Sequence, residues 1–84
     1  MDAQQVTDLL ADRFTGAGTD LAVDEHSLKV GGLVAWAGFA ELDQIERQHA
    51  VWAHLRANLS TDDLRHIGLI LTFTPDEVAA MAES

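Results

Sequence analysis

The sequence contains no cysteine. That excludes a disulfide framework and a thiolate metal site, so any metal held by this chain needs histidine, aspartate or glutamate ligands. Basic residues are scarce too. Five Lys and Arg stand against fourteen Asp and Glu, for a formal net charge of −9. Such a chain repels phosphate backbones, whose binding rests on Lys and Arg contacts. No apolar run approaches the ~20 residues that a membrane-spanning helix needs. The opening Met1-Asp2-Ala3-Gln4-Gln5 lacks the basic start and apolar stretch of a secretory signal. The expectation is a cytoplasmic protein with no membrane association. Catalytic signatures are missing as well. No nucleophile–base spacing or paired-carboxylate pattern stands out, and Gly31-Gly32 lacks the further glycine and lysine of a phosphate-binding loop. The expectation is a protein that is not an enzyme.

What is present suits one small soluble domain. There are 84 residues, 48% hydrophobic and 23% charged, which is ordinary globular composition at a length that buries only a modest core. The acidity either keeps the chain soluble or steers a basic partner toward it, and composition leaves both open.

Periodicity and capping signals set out the elements. Residues 2 to about 14 read as a helix with Val6, Leu9, Leu10 and Phe14 on one face, stopped at Gly16. Leu21 to Val23 suits a short strand. Leu33 to Phe39 suits a second, and the segment from Asp24 to Gly32 reads as the hairpin-like loop between them. Asp43 and Glu46 form a capping box that opens a second helix carrying Ile45, Trp52, Leu55 and Leu59. Ser60-Thr61-Asp62-Asp63 signals one short helical turn. Ile67 to Phe73 is a nearly continuous apolar run, which predicts a buried central strand. Thr74, Pro75 and Glu77 then supply a cap, a first helical position and a second box for a final helix to about Met81. The predicted fold class is α/β: a small single domain over residues 1–84, in the order α-β-β-α-(turn)-β-α, with a three-stranded mixed sheet and helices packed on it. The expected core comprises Val6, Leu9, Leu10, Ile45, Trp52, Leu55, Leu69 and Leu71.

From Phe39 onward the spacing carries a resemblance. Phe39 is followed eight residues later by Arg47, then by the pair Val51-Trp52. Further on, His66 leads a strand that ends in Thr72-Phe73-Thr74-Pro75-Asp76-Glu77. Over roughly residues 5 to 82 this resembles the BolA-like family, whose fold is of type II KH-like α/β character, and the chain looks like a divergent member. Glu41 stands where that family usually has glycine, and Gln48 where it usually has histidine. His49 comes one position late, about 100° around the helix.

The resemblance implies a non-enzymatic adaptor that pairs with a monothiol glutaredoxin-type partner and handles a [2Fe–2S] cluster shared with that partner. On that reading His66, at the last strand, and His26, in the loop between the first two strands, are the cofactor- and metal-binding candidates. Imidazole can ligate iron in mixed His/Cys clusters, and Asp24 and Glu25 add hard oxygen donors near His26. By position alone, His66 reads rather as a hydrogen-bonded structural residue at a strand edge and His26 as a solvated loop residue. Arg47 is the partner-binding candidate, or else it pins the strand–helix corner. His49 and His54 lie five apart on one helix and are poorly aligned for joint ligation.

Three other readings remain. The fold persists as an interaction module without a cluster, a reading that Glu41 and Gln48 keep open. A KH-like nucleic-acid regulator needs a Gly-x-x-Gly loop, but Gly16-x-Gly18 is one residue short and the net charge opposes it. An acyl-carrier-like protein would use Ser27 in His26-Ser27-Leu28, yet the preceding Asp is missing and the apolar strand does not fit an all-helical carrier.

Overall fold

The computed structural model describes residues 2–83, the side chain of residue 83 excepted. The element order is α1 (Ala3–Arg13), β1 (Gly18–Val23), β2 (Val30–Ala35), a short 3-10 helix (Ala37–Glu41), α2 (Gln44–Asn58), α3 (Thr61–Leu64), β3 (Ile67–Phe73) and α4 (Pro75–Glu83). This is a small α/β domain with a three-stranded mixed sheet. Strand β2 lies in the middle, antiparallel to β1 and parallel to β3.

The helix starts follow their caps. Asp2 and Gln5 form a box on α1, and Asp43 and Glu46 form one on α2. On α4, the Glu77 N–H donates to Thr74 Oγ1 at 3.2 Å while the Thr74 N–H donates to Glu77 Oε1 at 2.7 Å. Ser60 caps α3 by accepting from the Asp63 N–H. Each cap satisfies backbone donors that have no partner inside the helix.

Two strand expectations need correction. The second strand begins at Val30, not Leu33, and ends at Ala35. The glycine pair that reads as a turn lies inside the ladder, where Leu21 faces Gly32 and Ala22 faces Gly31. Glycine is there because neighbouring backbone is too close for a side chain. A Cβ on Gly32, at φ +145°, would overlap the Asp20 carbonyl, and one on Gly31 would sit 2.9 Å from the Leu69 carbonyl oxygen. Beyond Ala35 the chain turns into the 3-10 helix, which drops Phe39 into the core.

The second correction concerns β3, which is an edge strand rather than the central one. Its apolar run serves two different surfaces. Val30 pairs with Ile67 and Gly32 with Ile70, so two steps along β2 match three along β3. The extra residue is a bulge at Gly68 and Leu69. It resets the alternation, so that Ile67, Ile70 and Thr72 face the helices while Leu69 is 70% and Leu71 42% exposed on the other side.

The core lies between that sheet face and helices α1 and α2. It is built from Val6, Leu10 and Phe14, from Val30 and Val34, from Phe39, from Val51 and Leu55, and from Ile67 and Ile70. Phe14, Trp36 and Phe39 pack mutually with ring centroids 5.1–5.4 Å apart, a spacing at which aromatic pairs gain beyond simple area burial. Of the expected core, Val6, Leu10 and Leu55 are fully buried, and Leu9 and Trp52 pack half-buried against it. Ile45, Leu69 and Leu71 are exposed. Ile45 misses because α2 turns Arg47, Val51 and Leu55 inward. That stripe steps by four residues and begins with a charge.

Candidate functional site

The chain between β1 and β2 is a tight, self-bonded connection. The Asp24 carboxylate accepts from the backbone N–H of His26 at 2.7 Å and of Ser27 at 3.4 Å. The Asp24 N–H donates to the Lys29 carbonyl, and the Leu28 N–H to the Asp24 carbonyl. Asp is suited to this because its short carboxylate reaches the amides of the residues that follow it. Closing so tightly drives Leu28 to φ +60°, a left-handed conformation uncommon for a bulky side chain. His26 and Leu28 are both exposed on this connection.

His66 joins α3 to β3. Its N–H donates to the Asp63 carbonyl at 3.0 Å, and its carbonyl accepts from the Val30 N–H at 2.7 Å. Val30 opens β2 directly after the loop that carries His26. Both candidate histidines therefore stand at one end of the sheet, and both are exposed. Neither imidazole hydrogen-bonds to another described residue. His54 differs: its Nε2 lies 2.8 Å from the Leu9 carbonyl and its Nδ1 3.3 Å from the Asn58 amide.

The donor set at this end is incomplete for a cluster. The chain has no cysteine, and among the described residues no three His, Asp or Glu side chains gather closely enough to hold a metal ion. Two imidazoles supply at most half of the four protein ligands of a [2Fe–2S] centre. Thiolates would have to come from another protein.

Arg47 lies elsewhere. It is 6% exposed and its guanidinium faces inward. Nε donates to the carbonyls of Phe39 at 2.9 Å and Leu42 at 3.0 Å, and Nη1 pairs with Glu77 Oε1 at 2.9 Å. Of the two roles open to it in the sequence, this is the pin at the corner, tying the 3-10 helix, the start of α2 and the start of α4 together. Glu77 is held below the ordinary glutamate pKa, first by the Thr74 N–H and then by the Arg47 guanidinium.

Sequence reasoning missed the role of two glutamines. Gln48, which stands where the resemblance calls for histidine, donates to the Ile70 carbonyl at 2.8 Å and accepts from the Trp52 indole N–H at 3.2 Å. Gln44 donates to the Thr72 carbonyl at 3.3 Å and accepts from the Thr72 hydroxyl at 3.0 Å. The Phe73 carbonyl points at β2, where it accepts from the Trp36 N–H. By strand alternation the Ile70 and Thr72 carbonyls point the opposite way, off the outer edge of β3. The two glutamines occupy those outward carbonyls, which reduces what the edge offers to another strand, a known hazard of sheet edges. Their spacing of four on one helix was the available signal.

The sheet face away from the core carries a hollow of about 300 Å³. Gly31 and Gly68 form its floor, with Leu69, Leu71, Asp24 and Lys29 around it. Among the described residues no helix is long and apolar enough to cross a membrane. No model of a known protein family, no curated protein and no solved structure matches this chain.

Proposed function

We propose that this protein is a non-enzymatic cytoplasmic adaptor of BolA-like type. It pairs with a monothiol glutaredoxin-type partner, and His66 and His26 approach a [2Fe–2S] cluster whose thiolates belong to that partner. The observation that carries the reading is that His26 and His66, both exposed, stand at the same end of the sheet, where the Val30 N–H donates to the His66 carbonyl. The mixed sheet and the element order are compatible with it. Imidazole ligation in place of thiolate has precedent in mixed His/Cys clusters. Nucleic acid is the poorer partner for a chain of net charge −9.

A second reading is favoured by Gln48. That side chain is occupied in closing β3, so the same fold can serve as an interaction module without any cluster.

The test mixes the chain with a monothiol glutaredoxin carrying its cluster. The adaptor reading expects a heterodimer with an altered visible spectrum. His66→Ala should remove the spectral change more completely than His26→Ala, because His66 is anchored by the sheet while solvent or a neighbour can replace a loop ligand. A heterodimer with an unaltered spectrum would leave only the interaction module. Absence of any complex would defeat the adaptor reading itself.

A further inference from the structure

We propose that the open face of the sheet is a docking surface for an amphipathic helix of a partner protein, one that presents apolar side chains bordered by Lys or Arg. The inference stands on this face alone and does not require a shared cluster.

Register defines the surface. Leu21, Gly32 and Ile70 lie in one row across the strands, and Leu21 and Ile70 pack into the core. The next row, Asp20, Leu33 and Leu71, must point the other way. Leu69, displaced by the bulge, joins Leu71 on the same side, and both are exposed, Leu69 the more so. Folding does not require leucine at either place. The hollow beside them exists because Gly31 and Gly68 put no side chain over it. At about 300 Å³ the hollow lies at the lower end of the ligand-pocket range and has room for a large apolar side chain.

Charge selects the occupant. Asp20 and Asp24 border the apolar strip along β1, against the single base Lys29. A second copy of this chain would bring a further −9 toward −9, so self-pairing is opposed and a basic partner is steered in. Geometry selects a helix over a strand at β3, because Gln44 and Gln48 already occupy the outward carbonyls of that edge. A helix laid on the face would give the sheet the second apolar cover that layered α/β domains normally have.

The probe is a synthetic amphipathic helix with leucines on one face and lysines flanking them, titrated into the full chain and followed by backbone amide shifts. Its twin carries glutamate in place of lysine. The expected result is saturable binding of the basic peptide, weakened by salt, with the shifts concentrated at Gly31, Gly68, Leu69 and Leu71. Leu69→Asp should weaken binding by about tenfold or more, as loss of a central anchor does. Gly68→Ala narrows the hollow. Its added methyl would lie 3.5 Å from the Lys29 Cβ, an ordinary contact, so the variant should keep its melting temperature and still bind more weakly. The proposal is overturned if the basic peptide fails to bind, if the acidic twin binds equally well, if the shifts fall on α1 and α2, or if the free chain dimerises through this face.

Discussion

The two faces of the sheet are built to opposite rules. On the helix side, Val34, Ile67 and Ile70 are buried and surrounded by the apolar residues of α1 and α2. On the other side, Leu33, Leu69 and Leu71 are just as apolar in type, yet Leu69 and Leu71 are exposed, next to a glycine-floored hollow and two carboxylates. A face that only needed water contact would carry polar residues, as open antiparallel faces do. The comparison teaches that apolar residues in one strand answer to two demands, one from folding and one from recognition, and that only the three-dimensional register separates them.

The sharpest way to break this comparison is to truncate both sides. Phe39→Ala should destabilise by about 3–5 kcal/mol, a large share of the ~5–15 kcal/mol that holds a domain. Leu69→Ala should stay within about 0.5 kcal/mol, as exposed substitutions do. Thermal melts of the two variants decide it. A comparable loss for Leu69→Ala would mean that something within the chain covers the open face.

Next in size is the corner. Arg47→Met keeps the apolar stem and removes the donors to Phe39 and Leu42. One buried and one part-buried carbonyl then lose a charged partner, at a cost of about 2–3 kcal/mol. Urea unfolding should show a lower midpoint with the same slope. An unchanged midpoint would mean that the pin is dispensable.

The edge comes third. Gln48→Ala frees the outward Ile70 carbonyl and the Trp52 indole, for about 1 kcal/mol. Its clearer signature should be concentration-dependent association through β3, seen by sedimentation. A variant that stays monomeric at high concentration would show that Gln44 guards the edge alone.

The smallest effect is that of pH. Because Glu77 is held below the ordinary glutamate value, its contribution is complete above about pH 4.3 and fades as pH falls through the lowered folded value. Glu77→Gln should therefore lower the melting temperature at neutral pH, with the gap to the parent closing on acidification. A gap that persists in acid would assign the loss to the cap geometry rather than to the charge.

Much of this architecture was legible in local chemistry. The boxes Asp43–Glu46 and Thr74–Glu77 announce their helices because a cap is satisfied within four residues. The inward stripe of α1 is equally local. Other features depended on distant partners. Gly31-Gly32 reads as a turn unless one knows that Asp20 and Leu69 press against it. Arg47 reads as a partner contact or as the pin of the corner until the Phe39 and Leu42 carbonyls are placed beside it. Of the site, His26 and His66 are named through the resemblance, but that both stand at one end of the sheet rests on the Val30–His66 bond. For Gln44 and Gln48 the spacing of four places them on one helix face but does not say what they face, and the open face carries no local signal.

By itself, then, the chain determined where its helices start, that it is an α/β domain with three strands, and that any thiolate must come from outside it. Those are consequences of short-range hydrogen bonding and of composition. Tertiary structure decided that β2 and not β3 is central, that a bulge divides the Ile67–Phe73 run between core and surface, and that glutamines occupy outward carbonyls at one sheet edge while one face is left open. The physical reason is that an apolar residue specifies only that it prefers to leave water. Which neighbour removes it from water is settled by strand register, and register is a property of pairs of segments far apart in the chain.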